Sequence, residues 1–343
     1  MQNMISFQPA VLVAGGAGFI GSHLCRALLT RGHRVICLDS FLSGRRENLL
    51  PLIGHPSFTL IEGDVTEAVT IPGPLDQIYN LACAASPQQY QADPVHTMRT
   101  NVIGCGNLLE LARAKGARFL QASTSEVYGD PLAHPQTEDY WGNVNCTGPR
   151  ACYDEGKRAA ETLCFDYRRA GTIDVRVARI FNTYGPHMRP DDGRIVSNLI
   201  CQALQDRPMT VYGDGTQTRA FCYVSDMVAG LIALMEVPVA PDGAVNLGNP
   251  GEFTILELAR LIRRLVPGTV RPVFCPLPQD DPRRRQPDIA LARRLLHWQP
   301  RVPLEQGLRA TIDWFAAQSG VPLRPAADAA AADAGVATRQ VRP

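Results

Sequence analysis

The chain has 343 residues, of which 45% are hydrophobic and 20% are charged, and its formal net charge at pH 7 is +1. This composition is typical of a globular protein with a substantial core. The small net charge gives no electrostatic reason to expect nucleic acid or an anionic membrane as a partner. No apolar stretch is long enough to cross a membrane and the first residues show no signal peptide, so we expect a cytoplasmic protein.

The ten cysteines form no Cys-x-x-Cys pair, and the seven histidines are scattered along the chain. A zinc site or a catalytic pairing of His with Cys or Ser is therefore not indicated. Several cysteines lie within apolar stretches, where a free thiol acts as a small hydrophobic group. We predict reduced thiols and no metal site.

Short apolar runs alternate with helical patterns over the first half of the chain. The runs lie at 10–15, 34–39, 58–63, 77–82, 118–123 and 174–180, and the helical patterns lie at 19–32, near 95–115 and at 150–171. This alternation predicts parallel strands with right-handed crossover connections. The expected fold class is therefore α/β, with a doubly wound parallel Rossmann sheet.

After about residue 183 the elements become shorter and are separated by turn signals. We predict that residues 1–183 form the Rossmann domain and that residues 184–318 mainly form a smaller mixed α/β domain that binds substrate at the sheet's C-terminal edge. The segment near 225–250 is expected to return to the main sheet through "AVNLG". The tail at 319–343 is rich in Ala, Asp and Pro and is expected to be disordered.

A glycine-rich turn follows the first predicted strand in "VLVAGGAGFIGSHL", where Gly15, Gly18 and Gly21 have the G-x-x-G-x-x-G spacing. Glycines at these positions let backbone amides approach a pyrophosphate. Phe19 and Ile20 then open the first helix, whose N-terminus attracts negative charge. A glycine fingerprint is weak by itself, so its context decides whether this is a dinucleotide site.

The second predicted strand ends at Asp39, 18 residues after the last of these glycines. A carboxylate there can bind both ribose hydroxyls and repels a 2′-phosphate, which favours NAD over NADP. Asp64 follows the third strand and is either an adenine contact or a turn former. Val65 and Leu81 are predicted to line the same NAD site.

The stretch "CYDEGKR" places Tyr153 and Lys157 four residues apart, on one face of a predicted helix. A neighbouring ammonium stabilises a phenolate, so we expect a lowered pKa for Tyr153 and a role as base toward an alcohol. Lys157 is also a candidate to hold the nicotinamide ribose. A Tyr-x-x-x-Lys pair is a frequent accident, but here it follows an NAD fingerprint and the strand end "AST".

These features have the order found in short-chain dehydrogenases/reductases. The chain resembles the extended members of that family that act on nucleotide sugars, and among them the UDP-glucuronate decarboxylases. The resemblance spans residues 11 to about 310 and is carried by "GGAGFIGSHL", "STSEVYGDP", "HPQTEDYWGNVN", "GPRACYDEGKRAAETL", "VYGDGTQTRAFCYVSD" and "DDPRRRQPDI". One departure is "NCTG" at 145–148, in the loop before the catalytic helix, which bears on substrate fit.

The resemblance implies NAD-dependent oxidation of UDP-glucuronate at C4, loss of CO₂, and reduction of the 4-keto intermediate to UDP-xylose. Thr124 and Tyr153 would contact the sugar's 4-hydroxyl. Ser125 and Glu126 would position either the carboxylate or the water that protonates C5. The resemblance also implies a homodimer formed through the helices near 95–115 and 150–170. The candidate substrate contacts are Arg150, Asn182, Arg194, Tyr212, Arg219 and Arg285.

Three alternative functions remain open from the sequence. The first is an oxidative decarboxylase that releases the UDP-4-keto-pentose and NADH, which motifs do not separate from the main interpretation. The second is another nucleotide-sugar epimerase or dehydratase, against which the pair Ser125 and Glu126 argues. The third is a non-catalytic NAD-binding relative. The presence of Thr124, Tyr153 and Lys157 argues against it.

Overall fold

The computed structural model describes residues 8–266, 268, 272–277 and 284–320. Nearly all of the predicted disordered tail, from 321 onward, lies outside the described residues. The strands are β1 (Ala10–Ala14), β2 (Arg34–Asp39), β3 (Phe58–Glu62), β4 (Gln77–Asn80), β5 (Arg118–Thr124), β6 (Val175–Ile180), β7 (Thr183–Tyr184), β8 (Met209–Tyr212), β9 (Thr218–Ala220), β10 (Cys222–Tyr223), β11 (Val245–Leu247), β12 (Glu252–Thr254) and β13 (Pro272–Cys275). The helices are α1 (Phe19–Thr30), α2 (Pro87–Tyr90), α3 (Pro94–Arg99), α4 (Cys105–Lys115), α5 (Ala151–Arg169), α6 (Ile195–Leu204), α7 (Val224–Glu236), α8 (Ile255–Leu265), α9 (Ala290–Leu296) and α10 (Leu304–Ser319).

Seven strands form a parallel sheet in the order β11, β6, β5, β4, β1, β2, β3. The chain runs outward from β1 to β3 and then returns to build the other half from β4, so the predicted doubly wound Rossmann sheet is confirmed. The edge strand β11 pairs with β6 and brings the segment 245–247 back to the main sheet.

The sheet is buried on both faces, which explains the continuous apolar strands in the sequence. Successive residues of a strand point to opposite faces. In β1, Val11 and Val13 join the core beneath α1 and α7, while Leu12 joins the core beneath α4 and α5. One strand therefore supplies side chains to two cores.

A second group of elements packs around a separate core that contains Leu199, Ile262 and Phe315. It includes α6, α8 and α10 and the short pairings of β8 with β13 and β9 with β12. The predicted helical region near 95–115 consists of α3 and α4 joined by a π-helical turn, Thr100–Gly104. Within the described residues, no helix is both long and apolar enough to span a membrane.

Candidate active site

The turn after β1 has a shape that requires glycine. Gly15 has a φ of 78°, and a Cβ added there would lie 2.6 Å from the carbonyl oxygen of Leu81. A Cβ on Gly21 would collide with the carbonyl oxygen of Gly15. Gly18 is the N-cap of α1, and no side chain among the described residues caps this end. The first amides of α1 are therefore left for an anionic ligand, as a pyrophosphate site requires.

Asp39 lies at the carboxyl end of β2 and holds this turn. Its Oδ2 accepts a hydrogen bond from the Ala17 N–H at 2.8 Å, and its Oδ1 accepts one from the Phe41 N–H at 2.8 Å. Burial raises the pKa of Asp39, and these two amides oppose that effect. Each carboxylate oxygen keeps a second lone pair, with which it can accept a hydrogen bond from a ribose hydroxyl.

Two adjoining cavities follow the carboxyl edge of the sheet. Gly15, Gly18 and Leu81 line both of them. We call the one at the ends of β2 and β3 the first cavity; it is also lined by Asp39, Asp64 and Val65. The other, the central cavity, is also lined by Phe19, Ile20, Gly21, Thr124, Tyr153, Lys157, Asn182 and Arg194. Every predicted cofactor residue thus lies along one continuous groove, and the residues fit a dinucleotide.

Tyr153 lies in the first turn of α5, beside the end of β5. Its hydroxyl lies near the side chain of Thr124, and its ring stacks on Tyr90, with centroids 4.9 Å apart. The Lys157 Nζ lies 5.8 Å from the centroid of the same ring. It donates a hydrogen bond to the carbonyl oxygen of Ala122 at 3.0 Å. The predicted hydroxyl, phenol and ammonium groups are therefore close together.

The expected lowering of the Tyr153 pKa is wrong for the chain alone. Burial raises the pKa of this phenol, and the neighbouring Cys83 thiol adds to the rise. The side chain of Thr124 lowers the pKa of Tyr153 but is outweighed. Tyr153 therefore keeps its proton unless further positive charge enters the central cavity.

A third cavity, which we call the outer cavity, adjoins the central one, and Arg194 lines both. Four arginines, Arg150, Arg194, Arg219 and Arg285, and one carboxylate, Glu126, are its charged lining groups among the described residues. This surplus of positive charge suits a ligand that carries several negative charges.

Glu126 lies on a 3₁₀ turn, Ser125–Tyr128, directly after β5. Its N–H donates a hydrogen bond to the Thr124 Oγ1 at 3.2 Å. Its Oε2 accepts hydrogen bonds from the Nη2 of Arg150 and the Nη2 of Arg285, each at 2.8 Å. One carboxylate oxygen therefore joins two arginines beside the hydroxyl of Thr124.

Glu126 is ionised in this arrangement. Burial would raise its pKa, but the guanidinium groups of Arg285 and Arg150 outweigh burial and hold the pKa below its usual range. The side chain is only 13% exposed, which excludes a solvated surface glutamate. Glu126 is thus suited to accept hydrogen bonds and to fix the two arginines, and poorly suited to donate a proton.

The other predicted residues have more varied surroundings. Arg194 forms an ion pair with Asp192, and Tyr212 is 37% exposed at the wall of the outer cavity. Asn182 lines the central cavity together with Thr124 and Tyr153. Ser125 is buried and is not among the residues that line the three cavities.

Two residues of this region had no signal in the sequence. Tyr90 stacks on Tyr153, yet it comes from the short helix α2, whose "PQQY" matches no motif. Asp154 is buried next to Tyr153 in the chain, and its Oδ2 lies 4.0 Å from the Arg150 Nε. Burial and the nearby Glu126 raise the pKa of Asp154 to about 7.

The sequence matches the model of the NAD dependent epimerase/dehydratase family over residues 11–248. The chain belongs to this family. UDP-glucuronic acid decarboxylase 1 of Danio rerio is 56% identical over 305 residues, which cover 89% of this chain and 72% of that protein. UDP-glucuronic acid decarboxylase 6 of Arabidopsis thaliana is 55% identical over 313 residues, which cover 91% of this chain and 90% of that protein.

Solved structures of epimerases and dehydratases have the same architecture. The UDP-glucuronic acid 4-epimerase of Bacillus cereus, solved with UDP-glucuronic acid and NAD, has a TM-score of 0.81 and 29% identity, over 90% of this chain and 99% of that one. The dTDP-glucose 4,6-dehydratase of Bacillus anthracis, solved with NAD, has a TM-score of 0.79 and 25% identity, over 91% of this chain and 98% of that one. The family membership and these likenesses agree with the Rossmann sheet and its cavities.

Proposed function

We propose that this family member is an NAD-dependent UDP-glucuronate decarboxylase that forms UDP-xylose and CO₂. The main observation in support is that Glu126 binds both Arg150 and Arg285 beside Thr124 and Tyr153. Relatives at 55–56% identity bear the decarboxylase name, which supports the same reaction. UDP-glucuronate carries a diphosphate and a carboxylate, and the arginines of the outer cavity complement both.

The groove formed by the first and central cavities is suited to NAD. We assign the ribose hydroxyls to Asp39, the adenine to the wall with Asp64 and Val65, and the pyrophosphate to the N-terminus of α1. Tyr153 and Lys157 belong to the nicotinamide end. When bound, NAD supplies the hydride acceptor for C4 and returns the hydride after CO₂ has left, so the reaction has no net redox change.

The chain's own groups carry the proton and charge movements. Positive charge added to the central cavity would favour the phenolate of Tyr153, and this phenolate takes the proton of the 4-hydroxyl beside Thr124. The resulting 4-ketone is β to the carboxylate, so the C5–C6 bond breaks and its electron pair enters an enolate. Tyr153 and Thr124 then donate to the enolate oxygen. C5 takes up a proton, which restores the 4-ketone. Hydride return to C4 and return of the proton from Tyr153 to the C4 oxygen then give UDP-xylose.

Glu126 and its arginines act on the carboxylate. Arg150 and Arg285 each use an Nη2 on Glu126, and the guanidinium group of Arg285 has further N–H groups that can bind a substrate carboxylate. Because Glu126 remains ionised, we assign it the orientation of these guanidinium groups and of the water that delivers the C5 proton. Arg219 and Tyr212 line the wall that we assign to the UDP moiety.

The two parts of the chain would bind different ligands. Residues 1–183 with the strand β11 would hold NAD, and residues 184–318 would mainly hold the nucleotide sugar.

The homodimer would use the helical stretch from α3 to α4, where Val95 and Ile103 are 69% and 43% exposed, together with α5. Ten free thiols fit a reducing cytoplasm. Sedimentation of the wild type and of Ile103→Glu tests the dimer, with the exposed Val239→Glu as the control.

The deciding experiment is incubation of the pure protein with UDP-glucuronate, following CO₂, NADH absorbance and the nucleotide-sugar product. We expect CO₂ and UDP-xylose in equal amounts without accumulating NADH. Stoichiometric NADH with a 4-keto pentose would assign the protein to oxidative decarboxylation instead. Absence of CO₂ would reject the proposed substrate.

A further inference from the structure

We propose that Gln136 is a positioning residue, which holds Arg285 at the sugar end of the outer cavity. The inference rests on the proposed function, because it assigns to Arg285 a contact with the carboxylate-bearing sugar. Arg285 is distant in sequence from its partner, since 159 positions separate it from Glu126. Some contact must therefore fix the backbone that carries Arg285, and the structure points to one buried side chain.

Gln136 is fully buried, and its main chain and side chain both bind the backbone next to Arg285. The Gln136 N–H donates to the carbonyl oxygen of Gln286 at 2.9 Å, and the Asp288 N–H donates to the carbonyl oxygen of Gln136 at 2.9 Å. The Gln286 N–H donates to the Gln136 Oε1 at 2.8 Å. The Gln136 Nε2 donates to the carbonyl oxygen of Ala133 at 2.8 Å, which sets the orientation of the amide.

The same group is tied to the turn that carries Glu126. Tyr128, the last residue of that turn, donates its hydroxyl hydrogen to the Asn246 Oδ1 at 2.7 Å. The Asn246 Nδ2 lies in hydrogen-bond distance of the carbonyl oxygens of Gln136 at 3.0 Å and Asp288 at 3.1 Å. Glu126 and Arg285 thus share one buried anchor on β11, so the Gln136 contacts set the distance between them.

The affinities of a Gln136 variant for different ligands show whether Gln136 only stabilises the fold or positions Arg285. Loss of stability alone affects all ligands equally, whereas displacement of Arg285 affects only ligands with a group at the sugar end. UDP lacks the sugar, so its affinity separates the two cases. A misplaced binding group typically reduces the specificity constant on the order of tenfold to a hundredfold.

The test compares Gln136→Met, which keeps the volume and loses both side-chain hydrogen bonds, with wild type. We expect the KM for UDP-glucuronate to rise at least about tenfold. We expect kcat, NAD content and the calorimetric Kd for UDP to change less than about threefold. The matched control is Gln202→Met, because Gln202 also accepts a main-chain N–H, from Thr210 at 2.9 Å, and donates to its Oγ1 at 3.0 Å. This control is expected to keep the wild-type KM.

A double-mutant cycle with Arg285→Met supplies the second readout. If Gln136 acts through Arg285, adding Gln136→Met to Arg285→Met raises the KM less than about twofold. Additive effects of the two changes, equal weakening of UDP and UDP-glucuronate, or a wild-type KM in Gln136→Met would each overturn the inference. Wild-type turnover to UDP-xylose tests the proposed function separately. If the wild type fails that test, the same cycle in calorimetric Kd values for UDP-glucuronate still tests Gln136.

Discussion

At the scale of single residues, the charge states around Glu126 organise the site. Two guanidinium groups outweigh the burial of Glu126, so the carboxylate stays ionised at the end of β5. The same Glu126 charge helps to keep a proton on Asp154, whose pKa is raised to about 7. Below about pH 7 the two buried carboxyl groups therefore differ in charge, because only Glu126 has arginines at hydrogen-bond distance.

Glu126→Gln is expected to lower the turnover of UDP-glucuronate on the order of a hundredfold. The neutral amide removes the charge that holds Arg150 and Arg285 together. Single-turnover absorbance of NADH and release of CO₂ measure C4 oxidation and decarboxylation separately. The control Glu155→Gln, on the outer side of α5 with a side chain 31% exposed, is expected to keep wild-type turnover. Slower C4 oxidation with unimpaired CO₂ release would contradict the assigned role.

Asp154→Asn is expected to change how stability depends on pH. The pKa of Asp154 rises from its ordinary 3.8 to about 7 on folding, so the folded state binds the extra proton between these values. The favourable contribution of Asp154 to the free energy of unfolding is fully present below pH 3.8 and is lost as the pH rises to about 7. The difference in the free energy of unfolding between Asp154→Asn and wild type should therefore shift in favour of Asp154→Asn by ~2 kcal/mol from pH 5 to pH 8.

Urea unfolding at both pH values measures this difference. Asp166→Asn, at a position on the same helix where the side chain is 58% exposed, is the matched control. Identical pH dependence in wild type and Asp154→Asn would show that Asp154 is ionised in the folded protein.

At the scale of elements, the sequence pattern located the strands and helices closely. The predicted run 34–39 coincides with β2, and the helical pattern 150–171 corresponds to α5 at Ala151–Arg169. Continuous apolar strands and a 3.6-residue helical period are local properties, which explains this success. The π-helical turn Thr100–Gly104 was not predicted, because it depends on how the helix packs against its neighbours.

Gly21→Ala is expected to abolish NAD binding, since the new Cβ would collide with the backbone of the turn after β1. The absorbance and cofactor content of the purified protein measure the loss. The adjacent Ser22→Ala removes only a hydrogen bond to the carbonyl oxygen of Phe19 at 3.0 Å and should retain NAD. Retention of NAD in Gly21→Ala would mean that the turn does not hold the pyrophosphate.

At the scale of the whole molecule, a buried carboxylate connects the sheet to the chain that leads into α10. Asp226 in α7 accepts hydrogen bonds through its Oδ2 from the N–H groups of Arg301 at 2.9 Å and Val302 at 2.8 Å. Trp298 donates its Nε1–H to the main-chain oxygen of Asp226 at 2.9 Å. The segment that precedes α10 is thus fixed to a helix of the Rossmann sheet, while α10 packs in the other core.

Asp226→Ala is expected to lower the free energy of unfolding by about 2–4 kcal/mol, because two main-chain amides lose their buried acceptor. Chemical denaturation measures this loss. Asp242→Ala is the control, because the Asp242 side chain is fully exposed and its ion pair with Arg168 is screened by solvent and contributes little. Equal stability of the two variants would contradict the role of Asp226.

The sequence by itself determined the Rossmann sheet, the glycine turn with Asp39, and the pairing of Tyr153 with Lys157, because each depends on short spacings within one or two elements. Only the tertiary structure decided that Arg150 and Arg285 share one oxygen of Glu126, that Tyr90 stacks on Tyr153, and that burial raises the pKa of Tyr153. These features join residues distant in the chain. Their distances and burial follow from how the elements pack, which a linear pattern does not contain.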